Sequence, residues 1–184
     1  MPDSGTVEPV DLAAPGLSLR PWRVTDTPGV LTALTDPATA RWNPQAVTDE
    51  AGAAEWLRRR MDADDGAISL AVTDTADGAL LGAVSLHHIH GEDAQVGYWT
   101  TAAARGRRVA TRAVTVLTGW GFDRLGLHRI ELCHAVPNVA SCRVAERAGY
   151  AAEGVLRQSH RYGDGRRYDE HLHARLATDP PPTL

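Results

Sequence analysis

The stretch that says most about the fold is YWTTAAARGRRVAT, residues 98–111. It reads as the end of a strand, a loop and the start of a helix that continues to Gly126. A loop that enters a helix exposes backbone N–H groups without intrahelical partners, at the positive end of the helix dipole. Such a helix start binds phosphate groups, and Arg105, Arg107 and Arg108 lie where a phosphate would be. The alternative is a solvated basic turn on a surface helix.

Strand and helix patterns alternate on both sides of this stretch. Strands are predicted over 17–22, 67–74, 79–89, 94–101, 128–135, 150–160 and 167–176, and helices over 25–34, 49–61, 107–126 and 138–148. Residues 36–48 contain two prolines and are predicted to form a loop. This order indicates the α/β class, with one mixed sheet flanked by helices.

Length and composition indicate a single globular domain. The chain has 184 residues, of which 43% are hydrophobic and 23% are charged. We predict one domain over 15–177, a flexible tail over 1–14 and a proline-rich tail over 178–184. The net charge of −4 argues against nucleic-acid binding, and the apolar runs are too short to span a membrane. The N-terminus lacks the pattern of a signal peptide, so we expect a cytoplasmic protein.

The cysteine, lysine and histidine content limits the chemistry. All 19 basic residues are arginine, so no lysine can be acylated or form a Schiff base. Cys133 and Cys142 form no CxxC pair, from which we expect a reduced compartment, no disulfide framework and no structural zinc. His88 and His90 share a strand face and could ligate a metal, but we favour a polar cleft wall and expect no metal. No G-x-S-x-G elbow of a serine hydrolase is present.

A second informative stretch is AVPNVASCRVAERAGY, residues 135–150. Asn138 lies at the predicted start of a helix and Ser141 in its first turn. A hydroxyl next to the positive end of the dipole could donate a hydrogen bond to a developing anion, such as a leaving thiolate. Alternatively, Asn138 only caps the helix and Ser141 only faces water.

Five motifs, taken in order, resemble the GNAT superfamily of acyl-CoA-dependent N-acyltransferases and, more narrowly, its RimJ/RimL-type branch. They are LSLRPWRVTD, LLGAVSL, VGYWTTAAARGRRVATRA, LGLHRIEL and PNVASCRVAERAGYAAEGVLR, and the match covers about residues 17–176. The resemblance implies the GNAT fold, in which two central parallel strands of a twisted mixed sheet splay apart to admit the pantetheine arm. We place these strands at 94–101 and 128–135. The resemblance also implies acetyl-CoA as the acyl donor.

The pyrophosphate motif of the family, Q/R-x-x-G-x-G/A, maps onto residues 105–110. Arg105 and Ala110 match it, whereas Arg108 replaces the usual central glycine, which lets the backbone approach the phosphates without a Cβ clash. We expect Arg108 in the first helical turn, where an arginine is sterically allowed. The complete set that the resemblance assigns to the donor is Tyr98, Trp99, Thr100, Arg105, Gly106, Arg107, Arg108, Val109, Ala110, Thr111, Asn138 and Ser141.

The resemblance also implies roles in catalysis. Backbone groups of residues 98–100 are expected along the thioester, where a peptide N–H would polarise the acetyl carbonyl. Ser141 maps to the residue that protonates or hydrogen-bonds the departing thiolate in this branch. Tyr150 lies after the helix, and we therefore prefer Ser141.

The base that deprotonates the acceptor amine is less clearly marked. Superfamily members often use a carboxylate on the strand before the phosphate loop, but this sequence has Ala94 and Gln95 there. Asp93 and Glu92 lie just upstream and are our candidates. The alternatives are His88, His134 and a chain of water molecules.

The resemblance predicts an acetyl-CoA-dependent N-acetyltransferase acting on a primary amine, either a peptide or protein N-terminus or a small metabolite. Trp42, His88 and His134 are candidate contacts for this acceptor. Trp42 lies in the 36–48 loop, and it could instead be a hydrophobic plug beneath that loop. Other interpretations are a non-catalytic CoA-binding or regulatory module, an acyltransferase for longer acyl-CoA donors, and an interaction protein without a ligand. The oligomeric state stays open, with a homodimer among the alternatives.

Overall fold

One mixed sheet organises the described part of the chain. The computed structural model describes residues 10–43, 47–62 and 66–182. Its strands lie in the order β1-β2-β3-β4-β5-β6-β8-β7, and all neighbours are antiparallel except β5 and β6. The strands are β1 Leu12–Ala14, β2 Leu17–Arg20, β3 Ile68–Asp74, β4 Leu80–His90, β5 Asp93–Thr100, β6 Arg129–Ala135, β7 Ala151–Arg161 and β8 Arg167–Leu176. The structure confirms the predicted α/β class.

Five α-helices accompany the sheet in the described residues. They are α1 Thr27–Thr35, α2 Pro37–Trp42, α3 Glu50–Met61, α4 Val109–Leu125 and α5 Val139–Arg147. The predicted start of α3 at residue 49 and the predicted end of α4 at Gly126 are confirmed by caps: Asp49 accepts a hydrogen bond from the Gly52 N–H at 2.7 Å, and Gly126 ends α4 with a φ of 68°. None of the helices in these ranges is long and apolar enough to cross a membrane.

The segment predicted as a loop over 36–48 contains the short helix α2. Asp36 caps it, because its side chain accepts a hydrogen bond from the Thr39 N–H at 3.1 Å. Pro37 occupies the first helical position, where a missing N–H costs nothing and a fixed φ favours the turn. The proline that suggested a break therefore starts a helix. Residues 44–46 of this segment lie outside the described residues.

The N-terminal boundary of the domain also differs from the expected one. Leu12–Ala14 fall within the segment predicted as a tail, yet they form β1 and pair antiparallel with β2. Pro15 and Gly16 make the tight turn between the two strands, with Gly16 at a φ of 73°. Leu12 packs against the main core. The sheet therefore begins before residue 15.

The central feature for function is the divergence of β5 from β6. The two strands pair only at Asp93–Arg129, Ala94–Ile130 and Gln95–Glu131. Beyond Gln95, β5 pairs with β4 alone as far as Thr100. The splayed pair predicted at 94–101 and 128–135 is therefore confirmed, and it opens a gap in the middle of the sheet. Beside it, α4 packs into the main core through Val109, Val114 and Leu117.

Gly97 lies at the start of this gap. A glycine inside a strand often marks either a bulge or a close approach of neighbouring groups. A Cβ at this position would lie 3.0 Å from His87 Cε1 and 3.2 Å from Ser85 Oγ, so Gly97 marks a close approach. The irregularity lies instead in β4, where the register shifts between His87 and His90 and His88 has a φ of 50°.

Candidate functional site

A cleft of about 1040 Å³ opens where β5 and β6 diverge. Its volume lies at the upper end of the range for small-molecule sites, which leaves room for a long donor arm and a second substrate. Seven of the twelve residues that the resemblance assigns to the donor line its wall: Tyr98, Trp99, Thr100, Arg105, Ala110, Asn138 and Ser141. The sequence-predicted donor residues from β5, the loop and α5 thus meet in one cavity.

The backbone of β5 supplies the first element of the site. In an antiparallel ladder, alternate residues turn their N–H and C=O groups toward opposite neighbours. From Val96 to Thr100, the ladder to β4 satisfies one side of β5, and β6 is no longer within pairing distance on the other. An extended ligand in the gap could accept and donate hydrogen bonds at this edge, as an added strand would.

The start of α4 supplies the second element. The first intrahelical hydrogen bond runs from Arg112 N–H to the Arg108 carbonyl at 3.1 Å. The N–H groups of Val109, Ala110 and Thr111 therefore have no intrahelical acceptors and point out of the helix end. The side chains of Val109 and Thr111 are buried, so these residues can meet a ligand only through their backbone.

The sequence suggested that Arg108 lies in the first helical turn, but the structure places it just before that turn. It is the N-cap of α4 and has the left-handed values φ 57° and ψ 22°. This conformation is the physical reason for a glycine at the corresponding motif position, because glycine adopts positive φ without steric cost. Arg108 is exposed and forms no ion pair with another described residue, so its guanidinium is available to an anion.

The two other loop arginines are held by aspartates. Arg105 forms an ion pair with Asp36 and donates a second hydrogen bond to Thr39 Oγ1 at 3.1 Å. Arg107 pairs with Asp74 at 2.9 Å. Hydrogen bonding by Arg105 lowers the pKa of Asp36. Both guanidinium groups are half exposed, so the aspartates fix their positions and leave the remaining donors open to solvent.

Asn138, Ser141 and Tyr98 lie together on the cleft wall. The Asn138 side chain caps α5 by accepting a hydrogen bond from the Ser141 N–H at 3.3 Å. The Tyr98 hydroxyl is buried without a hydrogen bond of ordinary geometry to any described residue. Burial raises the pKa of Tyr98 to about 12, and the neighbouring Ser141 hydroxyl offsets part of this rise. Two neutral hydroxyl groups thus stand side by side at neutral pH.

Tyr150 plays a different part from Tyr98. Its hydroxyl is buried and shares a 2.6 Å hydrogen bond with Thr118 Oγ1 inside the core, and burial raises its pKa. Tyr150 does not line the cleft in the described structure. Its phenol therefore serves packing, which agrees with the preference for Ser141 as the group beside the donor.

The carboxylates predicted as bases lie away from the cleft. Glu92 and Asp93 are exposed at the turn between β4 and β5, and neither belongs to the described cleft lining. The turn is fixed by backbone bonds, because the Glu92 carbonyl accepts from the N–H groups of His128 and Arg129. The geometry therefore does not bring these two side chains to the reacting centre.

Glu170 on β8 is the one carboxylate among the described residues that line the cleft. It is buried, and each of its oxygens accepts a 2.6 Å hydrogen bond, from Ser159 Oγ and from the Tyr162 hydroxyl. Burial and the adjacent Glu170 raise the pKa of Tyr162, so its phenol stays a donor. Glu170 could not be predicted from the sequence, because its place at the cleft depends on the pairing of β8 with β6.

The three candidate acceptor contacts all lie on the cleft wall. Trp42 packs edge-on against Tyr162 and Tyr168, with ring centroids 5.6 Å and 5.5 Å away. His88 Nδ1 lies 3.0 Å from Gln95 Oε1. His134 is buried, and its burial lowers its pKa. Their places suit the predicted role, although contact with an acceptor stays a prediction.

Comparison with known proteins decides the family. The model described as the acetyltransferase (GNAT) domain matches residues 17–151, which is well over half of the chain. The chain belongs to the GNAT acetyltransferase family. This GNAT domain is 36% identical over 95 residues to a Bacillus subtilis (strain 168) protein named "Putative ribosomal N-acetyltransferase YdaF". The match spans about half of each of the two chains, 50% of this one and 51% of YdaF.

Solved structures share the fold of this GNAT domain. A GNAT-family acetyltransferase from Bacillus anthracis superposes with a TM-score of 0.84 at 22% identity, covering 92% of this chain and 100% of that one. RimJ of Mycobacterium smegmatis, solved in complex with CoA-disulfide, superposes with a TM-score of 0.76 at 25% identity, covering 92% of this chain and 87% of RimJ. The expected resemblance to the RimJ/RimL-type branch is thereby confirmed.

Proposed function

We propose that this GNAT domain transfers the acetyl group of acetyl-CoA to a primary amine by direct attack on the thioester. The observation that carries the proposal is the β5–β6 gap, which has unpaired backbone along β5, the open start of α4 at one end and Ser141 beside Tyr98 at the other. Two relatives support it: RimJ of Mycobacterium smegmatis was solved with CoA-disulfide, and YdaF is named as an N-acetyltransferase.

The donor would lie along the gap with its pyrophosphate at the start of α4. The free N–H groups of Val109, Ala110 and Thr111 would bind the phosphate oxygens, with the guanidinium of Arg108 adding charge. The pantetheine arm would bind the unpaired edge of β5 and end near residues 98–100. A backbone N–H there would hydrogen-bond the carbonyl oxygen of the acetyl group and stabilise the oxyanion.

The chemical step needs no covalent enzyme intermediate. Burial, with Glu170 nearby, raises the pKa of Cys133 in the cleft to about 12, so this thiol is neutral and a poor nucleophile at pH 7. In the proposed step, the amine nitrogen, already free of its ammonium proton, forms a bond to the thioester carbon and gives up one N–H proton to water, and the carbon–sulfur bond then breaks. The sulfur leaves as a thiolate that accepts a hydrogen bond, and then a proton, from the Ser141 hydroxyl. Ser141 regains its proton from Tyr98 and solvent.

Glu170 is the group that we assign to the acceptor amine. It is a carboxylate held by two hydroxyl donors, and it faces a cleft otherwise lined by neutral and basic side chains. A buried carboxylate attracts an ammonium group and can accept its proton, directly or through one water molecule, before attack. The aromatic rings of Trp42 and Tyr162 next to it would cover the apolar part of the acceptor.

The acceptor is expected to be the N-terminus of a peptide or protein, or a compact amine metabolite. The cleft is open enough to admit a chain end beside the donor arm, which favours a peptide N-terminus. The name of YdaF, a ribosomal N-acetyltransferase, points to the same class of acceptor. A small amine whose ammonium group reaches Glu170 would fit the same chemistry.

The proposal is tested by mixing the purified protein with acetyl-CoA and a panel of peptides and small amines. Thiol release and the intact mass of each product report the transfer. We expect acetylation of at least one primary amine and loss of that activity in Glu170→Gln. Glu131→Gln is the matched control, because Glu131 pairs with Arg129 outside the cleft. No acetylated product from any amine would favour a non-catalytic CoA-binding module, and an Asp93→Asn variant alone losing activity would return the base to β5.

A further inference from the structure

Three histidines and one cysteine converge under α5, on the side of β6 that faces the helix. They are His134 on β6, His171 and His173 on β8, and Cys142 in α5, and their potential ligand atoms all lie within 4.8 Å of one another. His134 lies directly opposite His171 in the sheet, and His173 follows two positions later on the same face. The four side chains thus come from three elements that are distant in sequence.

The backbone contacts of two of the histidines favour one ring tautomer. His134 Nδ1 is 3.0 Å from the Ala135 carbonyl oxygen, and His173 Nδ1 is 3.4 Å from the Tyr150 carbonyl oxygen. A carbonyl oxygen only accepts hydrogen bonds, so the tautomer with its hydrogen on Nδ1 satisfies both carbonyls and presents a lone pair at each Nε2. These two Nε2 atoms face each other at 3.3 Å. With this pair of tautomers, a cation bound between the two nitrogens removes the repulsion of their lone pairs.

The separation of the two nitrogens is that of ligands on one metal ion. Zinc–nitrogen bonds of about 2.0–2.1 Å at the tetrahedral angle place two nitrogen ligands about 3.3–3.4 Å apart. Histidine nitrogens whose other ring N–H is bound to a carbonyl are the usual form of zinc ligands. The imidazole and thiolate set favours a borderline cation such as zinc over magnesium or calcium.

We propose that His134, His171, His173 and Cys142 bind a zinc-class divalent cation in a tetrahedral site. On binding, the Cys142 S–H bond breaks, a metal–sulfur bond forms, and the released proton goes to solvent. Glu146, which accepts the Cys142 S–H hydrogen bond at 3.6 Å, would then face the bound cation as a second layer of negative charge. The step involves no electron transfer. The proposal replaces the expectation, based on the spacing of the two cysteines, that the protein has no structural zinc.

A metal in this place would anchor a helix that packing holds only weakly. Ala145 is the one buried residue within α5, so the helix contributes little to the core. A bond from Cys142 to a cation on β6 and β8 would fix the first turns of α5 onto the sheet. Ser141 is the neighbour of Cys142, so the same bond would fix the hydroxyl that faces Tyr98.

The test uses the full-length protein after dialysis against a chelator, titrated with Co²⁺ as a spectroscopic substitute for zinc and then with Zn²⁺. We expect one cobalt per chain, the strong visible absorption of tetrahedral cobalt, a thiolate charge-transfer band in the near ultraviolet, and displacement of cobalt by zinc. Cys142→Ser should abolish the charge-transfer band, and His171→Ala should weaken zinc affinity more than about 100-fold, beyond the loss typical of an outer-layer residue.

Two controls make the result specific. Cys133→Ser changes the other cysteine, which lies outside the four-residue set, and His90→Ala changes an exposed histidine, so both should bind cobalt like the unchanged protein. Cys142 and His171 are partly exposed, so their variants are expected to fold, which circular dichroism checks. Absence of tetrahedral cobalt spectra in the unchanged protein, or equal loss in Cys133→Ser and Cys142→Ser, would overturn the proposal. These readouts do not depend on acetyl transfer.

Discussion

Arg108 holds a left-handed backbone conformation that a glycine would adopt without strain, and two substitutions measure this directly. For a residue with a Cβ, left-handed φ and ψ cost about 1–2 kcal/mol. Glycine avoids this cost but loses about 0.5–1 kcal/mol more than alanine through its freedom in the unfolded chain. Because the Arg108 side chain is exposed, both substitutions remove the same few contacts. We therefore expect Arg108→Gly to be more stable than Arg108→Ala by about 0.5–1 kcal/mol.

The assay is urea unfolding of the two variants, with thermal melting as a second measure. For a chain of this size, a difference of 1 kcal/mol corresponds to a shift in Tm of about 2–4 °C. Arg143 is the matched control, since it is an exposed arginine in the middle of α5 in ordinary helical conformation. There alanine should be more stable than glycine by about 1 kcal/mol, the opposite sign. Alanine more stable than glycine at both positions would refute the left-handed assignment of Arg108.

Three further predictions test other parts of the molecule. Ser141→Ala should lower kcat about 100-fold and leave the Kd for CoA nearly unchanged, because the lost donor acts mainly on the leaving thiolate; steady-state kinetics with calorimetry check this. Burial alone would raise the pKa of Asp26, but its two hydrogen bonds from Arg20 at 2.8–2.9 Å, with one from a backbone N–H, outweigh burial and hold it below its usual value. Asp26→Asn should therefore cost about 2 kcal/mol of unfolding free energy at pH 7. That deficit should shrink as the pH falls below about 4, and denaturation showing a constant deficit down to pH 2 would contradict it. Trp42→Ala should raise KM for the amine up to about tenfold and leave KM for acetyl-CoA unchanged, because the loss of one aromatic contact costs about 1 kcal/mol. A lower Tm with both KM values unchanged would show that Trp42 is a hydrophobic plug.

Most of the scaffold could be predicted from the sequence because its signals are local. Asp49 and Gly126 mark helix ends through side-chain and backbone preferences of single residues, and the structure confirms both. The splayed strands followed from the resemblance to the GNAT family. The helix at Pro37 was missed because a proline breaks a helix interior but favours a first turn, and its cap, Asp36, was not weighed.

The site was only partly predictable because its remaining groups meet across the sheet. Glu170 lines the cleft from β8, and no local motif marks this glutamate. Strand β8 lies next to β6 although paired residues of the two strands are at least 35 positions apart in the chain. Asp93 is the first residue of β5, at the end of the strand that still pairs with β6 and far from the gap. His134, His171 and His173 likewise come together only through the β6–β8 register. Pairing of distant strands, unlike capping, leaves no pattern in a single sequence window.

Binding of the acyl donor in the gap between β5 and β6 can be tested by a calorimetric titration of the purified protein with acetyl-CoA. The account predicts saturable binding of one acetyl-CoA per chain, weakened when Arg105 and Arg107 are both changed to glutamate, with the larger loss at low salt. Absence of binding by the unchanged protein at two temperatures, so that a vanishing binding enthalpy is ruled out, would contradict the account.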